Sequence, residues 1–213
     1  SAASDVYKRQ SKNLNLTKEY SSIEELRTVG YDALITGSDQ VWNDKITNAD
    51  IVYSLGFETK AKKVSYAASA GSIQMISGQT LNNISKLDYI SVREKDLQEY
   101  LVGIVKKSVS LVVDPVFLLS KENWEKLLPK TNKKDKFIFT YSVSEMTEDV
   151  VKVARHIARQ NHTKIYHMDH SLKYGARGIC KYGASPLEFV TYIRDAETVS
   201  YTHLRAHETG RNL

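Results

Sequence analysis

The chain has one cysteine, Cys180, in 213 residues. A single thiol excludes an internal disulfide framework, and no second cysteine supports a metal site. No apolar run approaches the ~18 residues of a membrane span, and the start lacks the charged-then-apolar layout of a signal peptide. The expectation is a soluble cytoplasmic protein. No glycine fingerprint for a dinucleotide and no P-loop occurs, because Gly175 and Gly178 are lone glycines. The formal charge of +5 lies in basic residues spread singly among acidic ones, not in a stripe, which argues against nucleic acid. Lys60, Lys62 and Lys63 form one small cluster. It is either a solvated face beside an edge strand or an attractor for an anionic substrate or a lipid-linked acceptor at a membrane surface.

What is present is an apolar content of 41%, enough to bury a sizeable core in one large domain or two small ones. The most informative stretch is residues 31–43, where the apolar run Ala33, Leu34, Ile35 breaks into a polar loop opened by Gly37. Glycine lets the backbone turn there or approach a ligand closely. Ser38, Asp39 and Gln40 then place a hydroxyl, a carboxylate and an amide just past a strand's carboxyl end, where open α/β sheets bind ligands. The plainer role is a strand-to-loop turn with Asp39 as a helix cap.

Further along, Ser22 offers an N-cap with Glu25 three residues on. Val64 to Ala68 reads as a strand closed by Gly71-Ser72, residues 74–86 as a helix, and Tyr89 to Val92 as a strand ended by Arg93. A helix over Glu94 to Leu101 and a strand over Leu111 to Val113 follow, and Asp114-Pro115 stops that strand. After a helix around Trp124 to Leu128 and a polar linker, strand Phe137 to Val143, helix 147–160 and strand Lys164 to Met168 make a second α/β unit. Ser185-Pro186 opens a helix carrying Leu187, Val190 and Ile193 on one face, and a strand begins at Thr198. Strands alternating with helices imply parallel sheets.

The string Gly37-Ser38-Asp39-Gln40-Val41-Trp42-Asn43 after Tyr31-Asp32-Ala33 resembles the signature of the polysaccharide pyruvyl transferase family. Four later stretches agree in order: Ser65-Tyr66-Ala67-Ala68-Ser69 with Gly71, Ile90-Ser91-Val92-Arg93-Glu94, Val113-Asp114-Pro115-Val116-Phe117, and Pro186-Leu187-Glu188-Phe189. The resemblance covers about residues 11–199. It implies two Rossmann-like parallel-sheet α/β domains facing a cleft, in the manner of glycosyltransferase-B folds, both incomplete here. The expected ranges are 11–128, lacking a first β-α unit, a linker at 129–135, and a partial second domain at 136–199. Residues 1–10 and 200–213 look like translated adapter sequence and are set aside as foreign. The His203, His207, Glu208 pattern in that tail superficially resembles a helical zinc site, but no third ligand accompanies it.

By the same resemblance the activity is transfer of an enolpyruvyl-derived group from phosphoenolpyruvate to a sugar of a cell-surface polysaccharide or its precursor, forming a pyruvate ketal without metal or organic cofactor. The substrate-binding candidates are Gly37, Ser38, Asp39, Gln40 and Arg93. A strand-end arginine holds a carboxylate or phosphate bidentately, or else it pairs with Glu94 or Asp96. The family's general acid, a histidine in a Thr-Asn-Ser-Phe-His-Gly motif, is expected beyond Thr198, and its role is not carried onto His203. The chain as given is therefore expected to be inactive. His156, His162, His167 and His170 cluster loosely, but His156 and His162 have no carboxylate partner at triad or metal spacing, and Tyr166, Tyr174, Tyr182 and Tyr192 are too scattered for a stacking platform. A nucleotide-sugar-dependent glycosyltransferase and a non-catalytic carbohydrate-binding protein are the alternatives.

Overall fold

A computed structural model of the chain describes residues 18–28, 30–130, 136–142, 148–168, 179–180 and 184–202. It is a mixed α/β protein with small parallel sheets. Its contacts divide it at Ser120 and Lys121 into two compact units, earlier in the chain than the linker proposed at 129–135, of which 131–135 lie outside the described residues.

The unit Lys18–Ser120 begins with α1 (Ile23–Arg27), whose N-cap Ser22 accepts from the Glu25 N–H. Four short strands follow: β1 (Ala33–Thr36), β2 (Lys62–Ser65), β3 (Ile90–Val92) and β4 (Val109–Leu111). β1 pairs with β2 and β3 with β4, all parallel. Parallel bridges at Val64–Tyr89 and Ala68–Val92 join the two ladders, so the strands lie side by side in chain order. Between the strands run α2 (Asp44–Thr47), a 3₁₀ turn Ile73–Met75, α3 (Gly78–Ser85) and α4 (Lys95–Val105). The core gathers Trp42, Phe57, Ile84, Leu87, Ile90, Val92, Leu97 and Leu101. The opposite face carries Ile35, 69% exposed, and Tyr89, 66% exposed.

Several boundaries differ from the sequence reading. The helix expected over 74–86 is split, because Ile76 is extended and Ser77 starts α3 afresh by accepting from the Thr80 N–H. β4 lies two residues before the expected strand, since Val109 is the residue that reaches the core. β2 stops at Ser65 for a different reason. The bridges pair Val64 with Tyr89 but Ala68 with Val92, so one extra residue sits between them on the β2 side, which is a bulge. Ala67 absorbs it at φ 50, fully buried. Its N–H donates to Ser91 Oγ at 3.3 Å, and Ser91 Oγ donates to the Ser65 carbonyl at 2.8 Å. Ser65 Oγ in turn accepts from the Ser91 N–H at 3.0 Å.

The second unit starts with α5 (Lys121–Leu127) and holds one four-stranded parallel sheet in the order β7-β6-β5-β8. The strands are β5 (Phe137–Ser142), β6 (Lys164–Met168), β7 (Ile179–Cys180) and β8 (Thr198–Thr202). Alternation along β5 sends successive side chains to opposite faces. On one face Ile138 packs with Ile165 and with Ala154 and Ala158 of α6 (Glu148–Asn161). On the other, Phe139 stacks on Tyr192 at 5.5 Å and Tyr141 meets Phe189 edge-on at 4.7 Å, both partners belonging to α7 (Pro186–Asp195). Tyr166 and Tyr192 thus come together, 5.7 Å apart, as packing rather than as a platform. β8 pairs with β5 as far as Thr202, so the strand does not stop at Val199. Backbone pairing needs only an open ladder beside it. The expectations on His170, Tyr174, Tyr182, Gly175, Gly178, His203, His207 and Glu208 lie outside the described residues.

Candidate functional site

The loop after β1 is shaped by its neighbours in the sheet. At Gly37 (φ 123) a Cβ would stand 2.0 Å from the Tyr66 carbonyl oxygen, so only glycine fits. Past it, the Ser69 N–H donates to the Asp39 carbonyl at 3.1 Å and the Trp42 N–H to the Ser69 carbonyl at 3.0 Å. Trp42, fully buried, anchors the loop in the core. Asn43, not Asp39, caps α2 by accepting from the Lys45 N–H, while Asp39 Oδ1 accepts from the Gln40 N–H at 2.7 Å. The Gln40 amide accepts from Asn43 Nδ2 at 2.8 Å and lies against Gly71, where a Cβ would come within 2.5 Å of it. Gln40 therefore serves the loop's own packing, whereas Ser38 and Asp39 face Arg93.

Arg93 leaves the end of β3, its N–H donating to the Ala68 carbonyl at 3.4 Å just past the bulge. Its Nε donates to Glu94 Oε1 at 3.1 Å. Nη1 donates to Asp114 Oδ2 at 2.8 Å and to the Ser38 carbonyl at 2.5 Å. Among the described residues Nη2 faces only Asp39 Oδ1, at 3.8 Å, beyond hydrogen-bond reach. The guanidinium is thus pinned on two nitrogens and open on the third. Burial pulls its pKa down, but the hydrogen bonds and charges of Glu94 and Asp114 outweigh that and hold it above the usual arginine value. Burial likewise raises Asp114, yet the Val116 N–H and the Arg93 guanidinium bring it below the usual carboxylate range.

Arg93, Glu94 and Asp114 share a pocket of about 480 Å³ with Leu111, Val112, Val113 and Phe117. The lining thus joins three charged groups to apolar side chains, of which Phe117 is 75% exposed. The sequence offers Arg93 with Glu94 or Asp96 as its alternative ion-pair partner, of which the structure has Glu94, and it offers Asp114 only as a strand stop. The signal was there, because an aspartate directly before Pro115 is an N-cap, and Asp114 Oδ1 does accept from the Val116 N–H at 3.1 Å. The lysine cluster is divided by burial. Lys63 is buried, donating to the Phe57 carbonyl, while Lys60 and Lys62 are both solvated, Lys62 pairing with Asp88 at 3.2 Å. Of the histidines, His156 and His162 are exposed, and buried His167 shares a hydrogen bond with Thr140 through Nδ1 at 2.5 Å. Among the described residues no group of histidine, cysteine and carboxylate side chains could hold a metal ion, and no helix is long and apolar enough to cross a membrane.

Comparison with curated proteins gives no match, and comparison with solved structures gives none. The family model described as polysaccharide pyruvyl transferase matches residues 2–199. That span holds the Gly37 loop, the Arg93 strand end and the Asp114 cap, and it reaches into the first ten residues that the sequence reading set aside. Over nearly its whole length, then, the chain belongs to the polysaccharide pyruvyl transferase family.

Proposed function

We propose that this protein takes phosphoenolpyruvate as donor and moves its pyruvyl carbons onto two hydroxyls of a sugar in a cell-surface polysaccharide or its precursor. The observation that carries the donor's place is the open edge of Arg93: Nη2 has two N–H groups and no hydrogen bond among the described residues, beside a pocket large enough for a small organic acid. Such an edge suits a carboxylate or phosphate oxygen. In the reaction, protonation of the enol methylene makes the neighbouring carbon electrophilic. One sugar hydroxyl adds there and phosphate leaves with the C–O bond electrons. The second hydroxyl closes the ketal, and each hydroxyl gives up its proton. Arg93 holds anionic charge in place, which is a positioning role, and the proton donor lies beyond Thr198.

The paired parallel sheets support a two-domain Rossmann-like reading of the glycosyltransferase-B kind, and the order β7-β6-β5-β8 is that in which doubly wound sheets begin. The acceptor is a sugar hydroxyl pair, and a lipid-linked acceptor would bring the protein to the inner face of a membrane. The test offers phosphoenolpyruvate, a nucleotide sugar and a mixed glycan pool to this chain and to a longer family member, and measures phosphate and nucleotide release. The expected result is acceptor-dependent phosphate release by the longer protein, cut about 10²-fold or more by substitution of the matching arginine. This chain should bind phosphoenolpyruvate, and Arg93→Ala should lose it. Nucleotide release instead would establish the glycosyltransferase reading, and glycan binding without either release a carbohydrate-binding role.

A further inference from the structure

We propose that Asp39 is a displaceable internal counter-ion: it stands at the open edge of Arg93 until the donor's anionic group replaces it, and so sets the site's affinity for the donor. The inference rests on the reading of Arg93 just given. Three carboxylates surround the guanidinium, and they are not equivalent. Glu94 is the next residue in the chain and bonds Nε directly. Asp114 divides its oxygens between Nη1 and the Val116 N–H, so it cannot leave without uncapping the 3₁₀ turn Pro115–Leu118. Asp39 alone makes no hydrogen bond to Arg93, and its side chain is 93% exposed.

Moving Asp39 aside also leaves its loop intact, because the Asp39 carbonyl is held by the Ser69 N–H and the Ser38 carbonyl by Nη1. An incoming carboxylate or phosphate oxygen can approach Nη2 to the ~2.8 Å of a charge-assisted bond, a distance that Asp39 does not reach. Against this stands repulsion, since one cation faces three anions before the donor arrives. Removing the Asp39 charge lowers that repulsion. Asparagine is the informative replacement, because its amide oxygen still accepts from the Gln40 N–H as Asp39 Oδ1 does at 2.7 Å.

The experiment titrates phosphoenolpyruvate into the full 213-residue chain by calorimetry, for wild type, Asp39→Asn, Asp39→Ser and Arg93→Ala. Circular dichroism of each variant checks its fold. Both Asp39 variants should bind about two- to fivefold more tightly, as expected for loss of an exposed charge interaction, and the gain should shrink in high salt. Unchanged or weaker binding in both Asp39 variants, with Arg93→Ala abolishing binding, overturns this inference and leaves the Arg93 reading standing. Binding that survives Arg93→Ala overturns both.

Discussion

Gly37 and Asp114 control the site through different physics. A methyl group at position 37 has no room, with the Tyr66 carbonyl oxygen 2.0 Å from where it would go, and φ 123 is a backbone angle that side chains resist. Gly37→Ala should therefore cost about 2–4 kcal/mol in urea unfolding, and it should remove phosphoenolpyruvate binding at temperatures where the variant is still folded. Asp114 acts through its charge. Its carboxyl titrates below the usual 3.8, so the folded state binds this proton less readily than the unfolded state. The resulting stabilisation is complete above that value and is lost as pH falls through the lower folded one. Asp114→Asn should lower the melting temperature at pH 7 and flatten the fall in stability below about pH 4. An acid limb as steep as wild type would show that Asp114 carries little of it.

Although Asn43, Ser77 and Asp114 went unread as caps, other helix starts were legible in the sequence from the cap residue. Ser22 and Ser185 were both found that way, and Ser185 forms a full capping box with Glu188. Ser185→Ala should cost about 1 kcal/mol by thermal melting, with the loss confined to the unit that holds α7. Most strands were legible too, from apolar runs such as Ala33 to Ile35 and Phe137 to Val143, whereas β7 went unread. What could not be read was anything set by a partner strand. The bulge at Ala67 exists because two strands differ by one residue between bridges, and nothing in Ser-Tyr-Ala-Ala-Ser announces it. The inward turn of Lys63 was hidden for the same reason, since the carbonyl that receives it belongs to Phe57. Ser91→Ala should expose this dependence. It leaves the buried Ala67 N–H without an acceptor, at a cost of about 1–3 kcal/mol, and it loosens the strand end that carries Arg93. Equilibrium unfolding measures the first effect and donor titration the second.

At the scale of the molecule, two compact units with separate cores and an uncovered apolar face at Ile35 and Tyr89 argue against one cooperative transition. Calorimetry should give a broad melt, or aggregation, with a van't Hoff enthalpy well below the calorimetric one. A single sharp transition of a soluble monomer would count against it. The strand orders carry a consequence for how the chain acquires its shape. Each strand of the first unit lies beside its neighbour in sequence, whereas β5 must wait for β8, with β6 and β7 intervening in the chain. Closing longer loops is entropically slower. A ribosome releasing this chain would thus deliver the first unit's strands as near-local pairs and hold the second sheet open until its last strand emerged. In pulsed hydrogen exchange during refolding, amides of β1 to β4 should gain protection before those that bind β5 to β8, and the reverse order would refute this.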